Sequence, residues 1–259
     1  MKKKIAAVAL AAAIGISQVG AAALEPVVNG TVKTTWFFSS FEGGNLKSET
    51  PNGKQLSIGF AKDIATEQTP LTAEITNGPA VNNCGKTKVG YSGSKALKIS
   101  GQKTVGKAKN NVIIFENLNI QVFKNTQLSY MIFPDYNGEN DDRRTGQYIS
   151  VDLAFTDGTY LSELGATDIN GHLMDPLSQG KASSMYRRQW NYVCCTISEK
   201  ARSKVIDKIL VRYEREEDGD DILSYIDDIA VQSIEPETKD SPADYVLTTR
   251  GTDNTGSYS

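Results

Sequence analysis

Apolar and polar residues alternate with period two along much of the chain. Between residues 127 and 133 the pattern sets Leu128, Tyr130 and Ile132 on one face. Between 148 and 155 it sets Ile149, Val151, Leu153 and Phe155 on a core face, with Tyr148, Ser150, Asp152 and Ala154 opposite. Successive side chains leave a pleated backbone on opposite sides, so alternation marks strands that bury one face. The same pattern predicts strands at 191–197, at 205–213 with Ile209, Val211 and Tyr213 inward, and at 224–231. Shorter candidates lie at 36–41, 95–100 and 111–115, and one brief helix at 198–201. Asp157-Gly158 is a strong hairpin-turn signal. Residues 45–90 carry few regular patterns and read as long loops. With no internal repeat and turn residues at short intervals, the chain is expected to be all-β, an antiparallel jelly-roll-like β-sandwich.

The N-terminus has a different character. Lys2, Lys3 and Lys4 precede an apolar and small-residue run at 5–16, and Ala21-Ala22-Ala23 supplies a cleavage signature. This reads as a signal peptide over 1–23, because the apolar run falls short of the roughly 20 residues that span a bilayer. No later stretch is apolar enough to span one, so the expected destination is outside the cell, secreted or at its surface. Removing three lysines leaves 25 basic residues against 31 acidic, a net charge of −6. A nucleic-acid partner would need a concentrated basic surface, which this balance argues against. Residues 24–234 are long enough for one generous sandwich domain. The polar, proline-punctuated stretch 235–243 reads as a linker, and 244–259 begins a strand-like run too short for a core of its own.

Three cysteines, Cys84, Cys194 and Cys195, are an odd number for an exported chain. On a strand the adjacent pair points to opposite faces, so one can reach Cys84 while the other stays a buried thiol. Adjacent cysteines lack zinc-ligand spacing, and His172, the sole histidine, has no partner motif.

Several phrases resemble a known family. The phrases at 128–134, 151–162 and 225–229 are similar to the accessory domain that precedes the catalytic region in bacterial α-mannosidases of glycoside hydrolase family 92. The segments 39–42 and 189–191 follow the same pattern, and Arg250-Gly251-Thr252 resembles the opening of that catalytic region. The resemblance implies a sandwich of the galactose-binding or carbohydrate-binding-module type at the front of an exo-acting, calcium-dependent, inverting enzyme. The carboxylates of that chemistry belong to the catalytic region and none of their motifs occurs here, so no catalytic residue is assigned.

Candidate chemistry is sparse. Asp141-Asp142-Arg143-Arg144 offers adjacent acids, each beside an arginine that keeps it ionised, and reads as a solvated loop. Asp218-Gly219-Asp220-Asp221 lacks the twelve-residue pattern of a calcium loop and reads as a charged hairpin tip. Ser39-Ser40-Phe41-Glu42 and Tyr225-Ile226-Asp227-Asp228-Ile229 resemble the first and last strands of calcium-stapled sugar-binding sandwiches. That likeness implies a structural calcium on Glu42 and Asp228, with Asp227 as a further ligand; a Lys or Arg, or backbone amides, would serve a buried carboxylate there instead of a metal. For a sugar, Tyr148, Asp152 and Arg212 lie on non-core strand faces, with Tyr136 in a nearby loop. Trp36 and Trp190 read as sheet-packing residues rather than a sugar platform. The expected function is a non-catalytic carbohydrate-binding or docking module of a secreted exo-α-mannosidase. Its expected partners are a mannose-containing glycan and the enzyme's own catalytic region. The alternative is a purely structural domain that packs on that region without binding sugar.

Overall fold

The computed structural model describes residues 23–24, 31–43, 71–80, 88–136, 143–182 and 185–236. Among the described residues the strands are β1 (Ala23–Leu24), β2 (Thr31–Ser39), β3 (Thr72–Thr76), β4 (Ala96–Gly101), β5 (Ala108–Phe115), β6 (Ile120–Gln121), β7 (Thr126–Pro134), β8 (Ile149–Phe155), β9 (Asn191–Thr196), β10 (Val205–Arg215) and β11 (Ile222–Pro236). Two short helices are α1 (Pro176–Lys181) and α2 (Ser198–Ala201). The expected all-β antiparallel sandwich is the fold observed.

Two sheets face each other. In the seven-stranded sheet the long β11 pairs with β7 along one edge, and β7 pairs with β9. Along its other edge β11 pairs first with β4, over Ile222–Ile226, and then with β2, over Ile229–Pro236. In the four-stranded sheet β10 lies between β8 on one side and β6 and β5 on the other. Leu97, Leu128, Tyr130, Ile132, Ile226 and Val231 from the first sheet meet Ile149, Val151, Leu153, Val211 and Tyr213 from the second. Alternation therefore places the expected residues of β7, β8 and β10 inward. Burying such side chains is the main favourable term in folding, at about 25 cal/mol per Å² of apolar surface.

Some boundaries differ from the expectations. β3 falls inside the stretch read as loop, on an exposed edge where Glu74 pairs with Lys98 rather than with the core. α1 carries no apolar periodicity, but Asp175 caps it by accepting a hydrogen bond from Ser178 N at 2.7 Å, and Pro176 opens it. Asp157-Gly158 does make the tight turn, with Gly158 at φ 84°. The chain returns for a single bridge, Ala154 to Tyr160, instead of a full hairpin. β11 runs through Glu235 and Pro236, the first two residues of the expected linker. Cys194 and Cys195 lie on opposite faces of β9 and are buried free thiols. Cys84, Asp141, Asp142, the signal-peptide residues 1–22, linker residues 237–243 and the segment 244–259 lie outside the described residues. Among the described residues no helix is long and apolar enough to cross a membrane.

Candidate functional site

The outer face of the four-stranded sheet carries the first candidate. Sequence alternation puts Asp152 and Arg212 on this face, and the structure keeps them there, but not in the open. Asp152 is fully buried and Arg212 is 4% exposed. Their side chains pair at 2.7 Å, Oδ2 to Nη1. Ser162, from the short helical turn that follows β8, closes over them. Its hydroxyl donates to Asp152 Oδ2 at 2.6 Å and its backbone N–H to Oδ1 at 3.0 Å. Burial raises the Asp152 carboxyl above the ordinary carboxylate value, and the hydrogen bonds from Arg212 and Ser162 oppose that rise. These groups are structural partners of each other and offer no exposed surface to a sugar.

Their effect reaches the surface through Asn111. Arg212 Nε donates to Asn111 Oδ1 at 3.1 Å, which fixes the amide and turns its NH2 away as a donor. Tyr160 stands on the same side, with Arg212 Cζ 5.1 Å from its ring centre. Beside them opens a pocket of about 100 Å³ whose lining includes Asn111, Ile113, Tyr160, Asp207, Lys208 and Leu210. Drug-sized sites occupy about 300–1,000 Å³. This one, at about 100 Å³, is smaller than that range. Neither Asn111 nor Tyr160 stands out in the sequence. The signal that could have found Tyr160 is the turn at 156–159, which must return its next residues across β8.

Tyr148 and Tyr136 are elsewhere. A Cβ added at Gly180 of α1 would lie 2.3 Å from Tyr148 Cδ1, and Arg215 Cζ sits 4.4 Å above the same ring. Tyr148 therefore packs against α1 and stays half-buried. Tyr136 follows β7, with Arg188 Cζ 4.0 Å from its ring centre. The four expected sugar contacts thus separate into a buried pair, a half-buried ring packed against α1 and a half-buried loop residue.

The expected metal residues do approach one another. β2 leaves β11 at Ser39, and β4 joins it at Leu97, so the stretch Asp227-Asp228 lies in the gap between two pairing partners. A β-bulge there puts Asp228 at φ 47°. Glu42 and the turn at 90–95 both arrive at this gap. Asp227 Oδ2 accepts from Tyr91 N at 2.7 Å, Asp228 Oδ1 from Ser92 Oγ at 2.6 Å, and Glu42 Oε1 from Lys95 N at 2.5 Å. Among the described residues no cation pairs with any of the three. Burial, reinforced by neighbouring Asp228, pushes the Asp227 carboxyl up to about 7. Burial also raises Asp228; Ser92 opposes that rise and Glu42 adds to it. As placed, the acids are bound to amides and hydroxyls, and among the described residues no three acids close into a metal cage.

The Asp218–Asp221 connection is a hairpin tip whose acids staple a neighbouring loop. Asp218 accepts from Gly106 N at 2.8 Å and Asp221 from Lys103 N at 3.0 Å.

No protein-family model matches the chain, and no curated protein does. Solved structures resemble it in architecture. Carbohydrate-binding modules from the β-sandwich superfamily align at TM-score 0.42 and 12% identity, over 78% of this chain and 72% of theirs. The glycoside hydrolase domain of Endo-D from Streptococcus pneumoniae R6 aligns at 0.46 and 16%, over 80% of this chain and 28% of that one. SGBP-B, from a complex xyloglucan utilization locus in Bacteroides uniformis, aligns at 0.35 and 10%, over 79% and 56%. At these values nothing about ligand or activity passes from those proteins to this one.

Proposed function

We propose that residues 24–234 form a non-catalytic carbohydrate-binding module that holds a neutral sugar unit in the Tyr160 pocket. One observation carries this reading. An aromatic ring, Tyr160, and the apolar Ile113 and Leu210 line one pocket with the Asn111 amide, whose orientation is fixed by the buried Asp152–Arg212 pair. A pyranose presents an apolar C–H face and a ring of hydroxyls, which this arrangement complements. Supporting the non-catalytic part, Asp152 is wholly engaged by Arg212 and Ser162. Inverting hydrolysis needs two carboxyls facing each other across the sugar, about 6.5–9.5 Å apart.

The finer reading places this module at the front of an exported bacterial family 92 exo-α-mannosidase, with a mannose-containing glycan as ligand. It rests on the phrases at 128–134, 151–162 and 225–229. Export rests on the leader-like residues 1–23. A structural calcium at Glu42, Asp227 and Asp228 belongs to the same proposal. The three acids approach the same gap but, as placed, are engaged by amides and hydroxyls; calcium, which takes hard oxygen donors, would have to draw them together and would then tie the end of β2 to β11. Its role would be to hold strands together, with no part in chemistry.

A second reading, docking on the catalytic region, has its own observation. Ile169 (64% exposed), Leu173, Tyr186 and Tyr192 are exposed apolar side chains on β9 and the segments before it. Binding of the chain to a glycan array, lost in Tyr160→Ala, is the outcome expected for the first reading. If no glycan is retained, and deleting the module destabilises the parent enzyme, docking replaces it.

A further inference from the structure

The seven-stranded sheet has an outer surface unlike that of its partner. Ala96, Phe133, Leu223 and Tyr225 form an apolar cluster separate from the core between the sheets. Trp190 packs on it, its ring 5.4 Å from that of Phe133 and inclined at 64°. Tyr91 meets Trp190 edge to face at 6.0 Å and is 53% exposed. The Trp190 indole N–H has no acceptor among the described residues. Next to these rings, Arg188 N donates to Pro134 O at 2.8 Å. Its guanidinium lies 4.0 Å above Tyr136, and its Nε donates to the nearly buried Asp135 at 3.3 Å.

The position of Tyr91 is fixed from beneath. Its backbone N–H is held by Asp227, which is fully buried, and the turn enters through Gly90. A Cβ at Gly90 would lie 1.9 Å from Lys95 O, so the turn admits only glycine there without rearranging. The ring is exposed on a rigid mount. An exposed aromatic pair with no rigid support would be expected to collapse onto the surface.

We propose that Tyr91, Trp190, Tyr136 and Arg188 form a second glycan-binding site, on the opposite sheet from the Tyr160 pocket and selective for neutral sugars. The proposal rests on the carbohydrate-binding reading and extends it. Ring faces suit the C–H face of a pyranose, and the planar guanidinium, oriented by Asp135, donates to hydroxyls. Selectivity follows from charge. Arg188 is already matched by Asp135, so it offers an anionic sugar no unpaired positive charge. Two sites on opposite sheets make one module bivalent. On a polymeric glycan the second contact becomes intramolecular, which raises retention without any new interaction.

The chain has two tryptophans, so Trp36→Phe leaves Trp190 as the sole tryptophan reporter. The full chain carrying that change is titrated with yeast α-mannan, xyloglucan and β-glucan oligosaccharides, and with oligogalacturonate as the anionic probe. Calorimetry and tryptophan emission are recorded together. At least one neutral probe should shift Trp190 emission saturably. Adding Tyr91→Ala should weaken that response about tenfold, and adding Tyr160→Ala, which removes the other pocket, should leave it in place. Calorimetric binding with unchanged Trp190 emission would overturn the second site and leave the Tyr160 reading standing. Tighter binding of oligogalacturonate than of every neutral probe would overturn the selectivity. Neither heat nor emission change with any probe overturns both readings.

Discussion

Asp152 and Arg212 show how a buried pair can matter to a surface that neither touches. Removing one partner leaves the other charged and buried, at a cost of about 3–5 kcal/mol. Asp152→Ala should therefore lower the unfolding free energy by that order in urea titrations. The paired change Asp152→Leu with Arg212→Met should recover much of it, yet still release the Asn111 amide and weaken glycan binding. Alternation along β8 and β10 made the face of both residues legible in the sequence. Their burial was not, because it depends on Ser162, which covers them only after the chain turns at Gly158. Asp227 gives a second expectation at this scale. Its folded value of about 7 lies above the ordinary value near 4. Between those values the folded chain binds the extra proton, so stability falls as pH rises from about 4 to 7 and levels off above. Thermal unfolding in EDTA should show that slope, and Asp227→Asn should flatten it.

The mixed pairing of β11 organises the elements. One strand meets β4 and then β2 on the same edge, and the bulge at Asp228 sits where the partner changes. The turn at 90–95 fits that gap only because Gly90 has no side chain. Gly90→Ala should cost about 1–3 kcal/mol through overpacking and should also reduce binding at the Tyr91 surface. A stability loss with normal Trp190 responses would contradict that coupling. Most strands of the core were readable from period-two patterning. α1 and β3 were not, because neither buries a regular apolar face. Asp175-Pro176 was the one local signal for α1, and packing of Tyr148 on Gly180 appears only in three dimensions. The gathering of Glu42 with Asp227 and Asp228 came from resemblance, not from spacing, since about 185 positions separate them in the sequence.

For the whole molecule, the proposed function assigns a neutral glycan to an acidic sandwich with a pocket on one sheet and aromatic rings on the other. Calcium should raise the thermal midpoint, EDTA should lower it, and Glu42→Gln with Asp228→Asn should abolish the response; a midpoint indifferent to calcium removes the ion from the account. The mature chain should release no sugar from p-nitrophenyl α-mannoside, with or without calcium, and turnover that co-purifies with it would contradict the non-catalytic reading. The most direct measurement is an amide chemical-shift map of the isotope-labelled chain titrated with neutral oligosaccharides. Saturable shifts centred on Asn111, Tyr160 and Lys208, absent in Tyr160→Ala, are predicted. A spectrum unmoved by every glycan, or shifts confined to the residues around Ile169 and Tyr192, would contradict carbohydrate binding at this pocket.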